Sequence, residues 1–249
     1  MKVRAAILCG GKGERLRPLT DFFQKTMIPV GPKRRPLLEY IVRLLVHHGV
    51  MDITLLTGYR AEEIEHYFEG GSRFGAKITY SRDPEELSGS ANAVASAIAK
   101  GTIAPCDVLI VYYGDIVSDL DVDGLVRTHL SQRSDVTLVL DVGYSLPVGV
   151  ATVKGGTVVS FREKPNLKIS VTTGNMAIGK KSMRVLTEMS ERRKRSDLMT
   201  NFVPAIIKGG GRVGAYYVKG FWHDIGTIAS YEKLNSELMR KLEFLEKGA

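Results

Sequence analysis

The sequence predicts an α/β protein of three layers, with helices on both faces of a mixed, mostly parallel central sheet. Strand-like and helix-like segments alternate over roughly the first 120 residues, which is typical of a parallel sheet covered on both faces. A glycine-rich loop follows the first strand directly, at the edge where such sheets bind ligands. Consecutive strand-like segments in the second half add antiparallel character.

Hydrophobic spacing defines the elements of the first half. Residues 3–9 form a buried strand by length and β-branched content. Residues 36–49 have apolar residues at helical spacing, and the predicted helix begins with Pro36 and ends with Gly49. The remaining segments are strands at 51–58, 76–81 and 107–115 and helices at 59–71 and 89–100.

The second half contains strands in close succession. Strands are predicted at 135–142, 148–164 and 169–179, and the glycines at 155–156 indicate a hairpin turn. Helices at about 181–194 and 197–208, a strand at 211–218 and a terminal helix at 230–248 follow. No linker, low-complexity tract or repeat interrupts the chain, so we predict a single domain over 1–249.

Composition restricts the partners and the compartment. The 249 residues are 44% hydrophobic and 25% charged, and they carry a net charge of +8, which favours polyanionic partners such as phosphates. Two cysteines without paired spacing argue against a disulfide framework or a zinc site. The short apolar run at the start of the chain ends in glycines, which favours a strand over a signal peptide, and we expect a cytoplasmic protein.

The stretch "ILCGGKGERLRPLT", residues 7–20, combines bare backbone with positive charge directly after the first strand. Leu8 lies near the end of the predicted strand, and the N–H groups of Gly10, Gly11 and Gly13 can approach an anion and form a nest for phosphate oxygens. Nearby positive charges come from Arg15, Arg17 and, in "QKTMIPV", Lys25; such a cluster suits a triphosphate. The stretch is neither a Walker loop nor a dinucleotide fingerprint.

The same residues resemble the opening signature of the sugar-1-phosphate nucleotidyltransferases, also called nucleoside-diphosphate-sugar pyrophosphorylases. The resemblance begins with "GGKGERLRPLT", "KTMIPV" and "PLLEY" and continues through "GSRFGAKITYS", "YYGDIVSDLD", "SFREKP" and "GGGRVGAYYVKGFWHDIGT". It covers essentially the whole catalytic domain and implies a Rossmann-like (GT-A-like) fold. Residues 1–130 would then be the nucleotide-binding half and 131–249 the sugar-phosphate-binding half, without the C-terminal β-helix of some members.

The resemblance implies a reaction between a nucleoside triphosphate and a sugar 1-phosphate that releases pyrophosphate. Because the attacking phosphate oxygen is already anionic, the chemistry needs charge neutralisation and alignment rather than a general base. Arg15, Lys25, Asp115 and Asp224 would be catalytic, and Asp115 and Asp224 would hold the Mg²⁺ cofactor. We therefore expect His47, His48, His66 and His129 on helix surfaces, and Asp119, Asp121 and Asp123 as loop and helix-cap residues.

The sugar side is implied by "REKP" and by two glycine-containing motifs. Glu163 could accept hydrogen bonds from sugar hydroxyls, and Lys164 could hold the sugar phosphate. Gly149 in "PVGVA" resembles the family glycine beside the sugar, and Thr173 and Gly174 stand where many members have an Asn-Ala-Gly sequence. Because "VTTGNM" departs from that pattern, either Thr172 or Asn175 could replace the usual asparagine.

The base pocket is expected near "YSRDPEELSGSANAV". Gly89 and Ser90 resemble the family turn that opens a small-residue helix. Thymidylyl- and uridylyltransferases often carry a glutamine before this turn, whereas this chain has Asp83, Glu85 and Glu86. Ionised carboxylates only accept hydrogen bonds, which suits the two donors on a guanine edge. The residues thus favour a mannose-1-phosphate guanylyltransferase-like enzyme, with a glucose-1-phosphate thymidylyl- or uridylyltransferase as the alternative.

Two further interpretations stay open. The chain could be a nucleotide-sugar-binding regulatory subunit without turnover, or an enzyme acting on a non-sugar phosphate such as phosphocholine. The basic run "ERRKRSD" (191–197) lacks interleaved aromatics and an apolar face, so we expect neither a nucleic-acid nor a membrane partner. Related enzymes often form dimers or tetramers, which implies a homo-oligomer.

Overall fold

The computed structural model describes residues 1–82, 88–146, 148–190, 194–234 and 240–242. The strands are β1 (Val3–Leu8), β2 (Pro29–Val30), β3 (Arg35–Pro36), β4 (Asp52–Thr57), β5 (Lys77–Arg82), β6 (Val108–Tyr113), β7 (Ile116–Ser118), β8 (Val136–Ser145), β9 (Val150–Lys154), β10 (Thr157–Arg162), β11 (Asn166–Gly179), β12 (Val213–Tyr217) and β13 (Trp222–Asp224). The α-helices are α1 (Leu19–Phe22), α2 (Leu37–His47), α3 (Ala61–Phe68), α4 (Ser90–Ala99), α5 (Val122–Ser131), α6 (Lys180–Ser190), α7 (Val203–Lys208) and α8 (Ile228–Lys233).

Seven strands form the central sheet in the order β12-β8-β11-β6-β1-β4-β5. Parallel pairing joins β1 to β4 and β6, β4 to β5, and β8 to β12. Strand β11 runs antiparallel to both of its neighbours, β6 and β8. The predicted mixed, mostly parallel sheet is therefore confirmed, and the carboxyl ends of β1, β4, β5 and β6 meet at one edge.

Helices cover both faces of this sheet, as the sequence predicts. Alternation along β1 directs Ile7 into one core and Ala6 into the other, because successive strand side chains point to opposite faces. The first core is closed by α2, α3 and α5, and the second by α4, α6 and α7. Each helix buries its apolar face against the sheet, which gives the three-layer α/β/α arrangement.

The second half differs from the sequence prediction in two places. Within the described residues, strands β9 and β10 pair only with each other, as a ribbon outside the central sheet, and the predicted hairpin turn lies between them. The segment predicted as one helix at 197–208 consists of a π-helical turn, Leu198–Phe202, followed by α7. The predicted terminal helix is described only as α8, because most of its residues lie outside the described ranges.

The expectation that His129 lies on a helix surface is wrong. This residue is 3% exposed and its Nδ1 lies 2.9 Å from the hydroxyl of Thr137, so the ring packs between α5 and β8. Burial lowers the pKa of His129, although Asp135 nearby partly offsets the shift. His47 and His66 are exposed, in agreement with the prediction.

Cys9 and Cys106 are both buried, and neither forms a disulfide bond. Within the described part of the chain, no helix has the length and apolar character needed to cross a bilayer.

Candidate active site

A cleft of about 310 Å³ opens at the carboxyl edge of the sheet, between the turns that follow β1 and β6. The two strands are parallel neighbours, and Leu8 pairs with Tyr113 at their ends. Both turns therefore begin at the same level along the two strands, and the N–H of Gly114 donates to the carbonyl of Leu8 at 3.0 Å. The cleft is lined by Leu8, Cys9, Gly10, Gly11, Lys25, Thr26, Gly89, Ser90, Ala93, Tyr113 and Asp115.

The two turns approach each other so closely that only glycine fits at position 114. A Cβ added to Gly114 would lie 2.7 Å from the carbonyl oxygen of Leu8 and 2.9 Å from Cγ2 of Thr26. Real Cβ atoms essentially never come within 3.0 Å of a non-bonded heavy atom outside their chain neighbours, and the backbone carbonyl cannot rotate away. This close packing fixes Asp115, the next residue, above the glycine turn.

Four charged side chains converge beside this turn. Lys25 Nζ donates to Oδ2 of Asp115. Asp224 arrives on β13, which pairs antiparallel with β7, and the N–H of its neighbour Ile225 donates to the carbonyl of Asp115 at 2.8 Å. Arg15 comes from the glycine turn. A Cβ built on Gly226 would lie 3.3 Å from Nη2 of Arg15 and 3.1 Å from Oδ1 of Asp224, so both side chains reach Gly226. Arg17, by contrast, points outward and pairs with Asp21.

The negative charge of Asp224 is destabilised in this cluster, and a bound cation would stabilise it. The pKa of Asp224 is raised, first because protein atoms around the carboxylate reduce its hydration and second because Asp115 repels it. Lys25 and Arg15 oppose that shift but do not cancel it. Paired carboxylate oxygens are the ligands that Mg²⁺ prefers, and it usually takes one or two of them. Asp115 and Asp224 thus fit a magnesium site in both donor chemistry and charge.

One end of the cleft lies where α4 begins. Ser90 Oγ accepts from the N–H of Leu198 at 2.9 Å and from the hydroxyl of Tyr113 at 3.3 Å. Gly89 packs against the carbonyl of Ser196, at 2.3 Å from an added Cβ, so no side chain fits there. Gly89 and Ser90 therefore line the same cleft as the glycine turn, whereas Asp83, Glu85 and Glu86 lie outside the described residues.

The predicted sugar-side residues Gly149, Glu163 and Lys164 lie on and beside the β9–β10 ribbon. Gly149 and Glu163 are adjacent, since Glu163 Oε2 would lie 2.9 Å from a Cβ on Gly149. Lys164 has a left-handed backbone with φ of 43°, which turns the chain away from β10. None of the three lines the 310 Å³ cleft.

Residues 173–175 form a bulge in β11, where the register against β8 shifts between Thr172 and Met176. Thr173 is buried and its hydroxyl donates to the carbonyl of Val139, so its side chain does not face the cleft. Gly174 supports the ring of Tyr113, whose Cδ2 lies 3.1 Å from an added Cβ. Asn175 is buried and accepts from the N–H of Tyr113, while the exposed Thr172 accepts from the N–H of Gly174.

Sequence reasoning missed Tyr113, Thr26 and Gln24. Tyr113 lines the cleft between the two turns, and burial raises its pKa, so the hydroxyl remains a donor. Thr26 lines the cleft beside Lys25, and Gln24 is buried under the same turn. The only available signal was position, because Tyr113 precedes the "GD" motif and Gln24 and Thr26 flank Lys25 in "QKT".

A second group of potential ligand atoms lies near the amino ends of β1 and β4, away from the cleft. One atom from each of His48, Asp121 and Asp123 falls within 4.8 Å of the others. Asp121 caps α5 through the N–H of Gly124, as predicted, and His48 Nδ1 lies 3.0 Å from Asp123. His223, next to Asp224, contacts the carbonyl of Ser230 at 2.6 Å and is held in the local structure.

The sequence of this chain is similar to those of known proteins. Residues 4–241 match the family described as nucleotidyl transferase. The chain is 29% identical to a UTP–glucose-1-phosphate uridylyltransferase of Synechocystis sp., with 97% of the chain and 65% of that protein covered. It is 28% identical to a glucose-1-phosphate thymidylyltransferase of Streptomyces antibioticus (97% and 67% covered) and 30% identical to a mannose-1-phosphate guanylyltransferase of Mycobacterium tuberculosis (96% and 65%). The chain thus spans about two thirds of the length of these relatives.

Solved structures have the same fold. A crystal structure of a Bacillus anthracis protein, described as a candidate glucose-1-phosphate thymidylyltransferase in complex with sucrose, superposes with a TM-score of 0.74 at 25% identity. The alignment covers 96% of this chain and 95% of that one. The protein HddC of Yersinia pseudotuberculosis, complexed with GMP-PN, has a TM-score of 0.72 at 22% identity, with 96% and 100% covered. The Rossmann-like fold is therefore confirmed.

Proposed function

This chain belongs to the nucleotidyl transferase family, and on that premise we propose that it transfers a nucleotidyl group from a nucleoside triphosphate to a sugar 1-phosphate, with release of pyrophosphate. One observation carries the proposal. Arg15, Lys25, Asp115 and Asp224, which are separated by up to about 200 residues in sequence, converge beside a glycine turn at the carboxyl edge of the sheet.

The residues support a mechanism of alignment and charge neutralisation. Gly10 and Gly11 line the cleft. Their backbone N–H groups would donate to phosphate oxygens there. Arg15 and Lys25 neutralise the charge that moves onto the departing pyrophosphate. Asp115 and Asp224 would hold Mg²⁺, which, when bound, supplies further neutralisation of the phosphates. The acceptor phosphate attacks as an anion, so no histidine is required as a base.

The finer proposal concerns the base and the sugar. The relatives named above use uracil, thymine and guanine nucleotides, and another, a Deinococcus deserti enzyme, is named an adenylyltransferase, so relationship alone does not select one base. We propose guanine, on the chemistry of the carboxylates Asp83, Glu85 and Glu86, with mannose 1-phosphate as the acceptor. Glu163 and Lys164 would bind the sugar phosphate from the β9–β10 ribbon.

A substrate matrix tests the proposal. Pyrophosphate release is measured with each of four nucleoside triphosphates against several hexose 1-phosphates and phosphocholine, with Mg²⁺ present. We expect turnover with at least one sugar 1-phosphate, highest with GTP and mannose 1-phosphate. The Asp115→Asn variant serves as the blank, because loss of a metal-binding carboxylate should reduce turnover nearly to zero. Asparagine keeps the shape of the side chain and removes its charge.

The outcomes separate the alternatives. Turnover only with phosphocholine would replace the sugar acceptor by a non-sugar phosphate. Tight binding of a nucleotide sugar without product in any pair would identify a regulatory subunit. A UTP or dTTP preference would reject guanine while retaining the reaction class.

A further inference from the structure

Gln24 is a fully buried polar residue directly before Lys25, with a relative exposure of 0%. Burying an amide is unfavourable unless its hydrogen-bonding groups are satisfied, and here donor and acceptor are both used. Its Nε2 donates to the carbonyl of Cys9 at 2.5 Å. Its Oε1 accepts from the backbone N–H of Thr26 at 2.6 Å and from the Thr26 hydroxyl at 2.7 Å.

These hydrogen bonds join two segments that both line the cleft. Cys9 is the residue between β1 and the glycine turn, and its N–H donates to Leu56 of β4. Thr26 belongs to the short 3₁₀ turn Lys25–Met27, and Gln24 caps the start of that turn. The backbone N–H of Gln24 also donates to Glu63 of α3 at 2.7 Å. Gln24 thus connects the phosphate turn, the Lys25 turn and a helix.

The side chain of Lys25 is confined on its other side by Gly13. A Cβ on Gly13 would lie 3.0 Å from Cβ and 3.2 Å from Cγ of Lys25, and Gly13 adopts the left-handed conformation with φ of 66°. The Lys25 stem therefore lies against bare backbone of the glycine turn. With its base fixed by Gln24 and its stem against Gly13, the ammonium reaches Asp115.

We propose that Gln24 is a positioning residue: it fixes the Lys25 turn to the end of β1, so that the Lys25 ammonium is preorganised beside Asp115. This role rests on the proposed function, in which Lys25 neutralises phosphate charge. Gln24 touches no substrate, because it has no exposed surface, and in this proposal it acts on the reaction through Lys25. The sequence around Lys25 does not indicate this role, because the role depends on the contact of Gln24 with Cys9, which lies fifteen residues before it.

A double-mutant cycle tests the role. Gln24→Met keeps the approximate volume and removes all three side-chain hydrogen bonds, and Lys25→Met removes the charge that Gln24 is proposed to position. We expect Gln24→Met to lower kcat/KM by about 30-fold in the wild-type background, since small misplacements near the chemistry have large effects. In the Lys25→Met background the same change should cost about 3-fold or less, because contacting residues that act as a unit are not additive.

Stability provides the readout that separates positioning from folding. Gln24→Met should lower the melting temperature by similar amounts in both backgrounds, because the lost contacts to Cys9 and Thr26 are the same. Thr137→Val, which removes the buried contact to His129 away from the cleft, is the matched control. It should lower the melting temperature and leave kcat/KM unchanged. A 30-fold loss in both backgrounds, or no loss with wild-type Lys25, would overturn the proposal.

The same double-mutant cycle can be measured in binding, which needs no turnover. The dissociation constants of GTP, ATP, UTP and dTTP are measured by calorimetry for each variant. Coupling between Gln24→Met and Lys25→Met in the dissociation constant supports the positioning role even where the substrate matrix yields no product, so the two proposals fail separately. Gln24→Leu provides a second variant should Gln24→Met not fold. It removes the same three side-chain hydrogen bonds without burying a charge and should lower kcat/KM to a similar extent; equality with wild type would count against the positioning role.

Discussion

Replacement of Gly114 by alanine tests whether close packing of the β1 and β6 ends fixes the proposed active site. The added Cβ would meet the carbonyl oxygen of Leu8 at 2.7 Å, Cγ2 of Thr26 at 2.9 Å and Sγ of Cys9 at 3.3 Å. Ordinary van der Waals contact begins at 3.4 Å, so the segments must separate by about 0.7 Å at the carbonyl. Neither clash can be relieved by movement of a long, flexible side chain, because Leu8 contributes a backbone oxygen and Thr26 a short, branched side chain.

The expected magnitudes follow from that separation. Overpacking of a close-packed interior costs about 1–3 kcal/mol, which corresponds to a melting temperature lower by roughly 2–12 °C for a chain of this size. The displacement also moves Asp115, the next residue, relative to Lys25. A shift approaching 1 Å at a reacting centre can reduce turnover about 100-fold, so we expect a loss of that order in kcat.

The assay is pyrophosphate release together with thermal denaturation, and Gly70→Ala is the matched control. A Cβ on Gly70 has no heavy atom within 4 Å, and its backbone lies outside the left-handed region. We expect that variant to be neutral or up to about 1 kcal/mol more stable, because alanine restricts the unfolded chain. A Gly114→Ala protein with native melting temperature and native kcat would refute the packing argument.

Three further results are expected. Arg15→Ala should lower kcat by about 100-fold or more, corresponding to the loss of one preorganised charge-stabilising donor at ~2.7–4 kcal/mol, and steady-state kinetics measure it. Chelation of divalent cations should abolish pyrophosphate release, and added Mg²⁺ should restore it, because Asp115 and Asp224 provide the carboxylate oxygens that such ions require. The pKa of His129 is lowered in the folded state, so the unfolded chain takes up its proton first as pH falls. The His129 contribution to stability should therefore be complete above pH ~6.5 and decline below it by at most about 1.4 kcal/mol per pH unit. The difference in free energy of unfolding between wild type and His129→Gln, measured by urea titration, should be constant above pH ~6.5 and change only below it.

The fold was predictable because each element carries its own signal. Helical spacing in residues 36–49 predicted α2, and the β-branched run in residues 107–115 predicted β6. Alternation of these segments then required a parallel sheet, and a parallel sheet brings the ends of its strands to one edge. The meeting of the glycine turn with Asp115 followed from that geometry, although 105 residues separate Gly10 from Asp115.

The details that were missed depend on contacts between distant segments. The bulge in β11 places three residues, 173–175, opposite a single position of β8, so the two-residue alternation fails and Thr173 turns into the core. His129 lies on a helix with polar neighbours, and only its contact with Thr137 of β8 reveals that it is buried. Local pattern carries no information about such partners, and neither residue could have been placed from the sequence.

The two sides of the proposed active site are constrained to different degrees. On the proposed nucleotide side, Lys25 and Asp115 lie on short turns. The Asp115 turn is hydrogen-bonded to β1 through Gly114 and Leu8, and Gln24 joins the Lys25 turn to Cys9 at the end of β1. On the sugar side, Glu163 and Lys164 follow a ribbon whose two strands pair only with each other and expose Val153, Val158, Val159 and Phe161. A two-stranded ribbon is marginally stable on its own, since it lacks a packed face. Rigid placement is therefore concentrated where the triphosphate would bind and where charge changes during the reaction, whereas the residues proposed to recognise the sugar are held by fewer contacts.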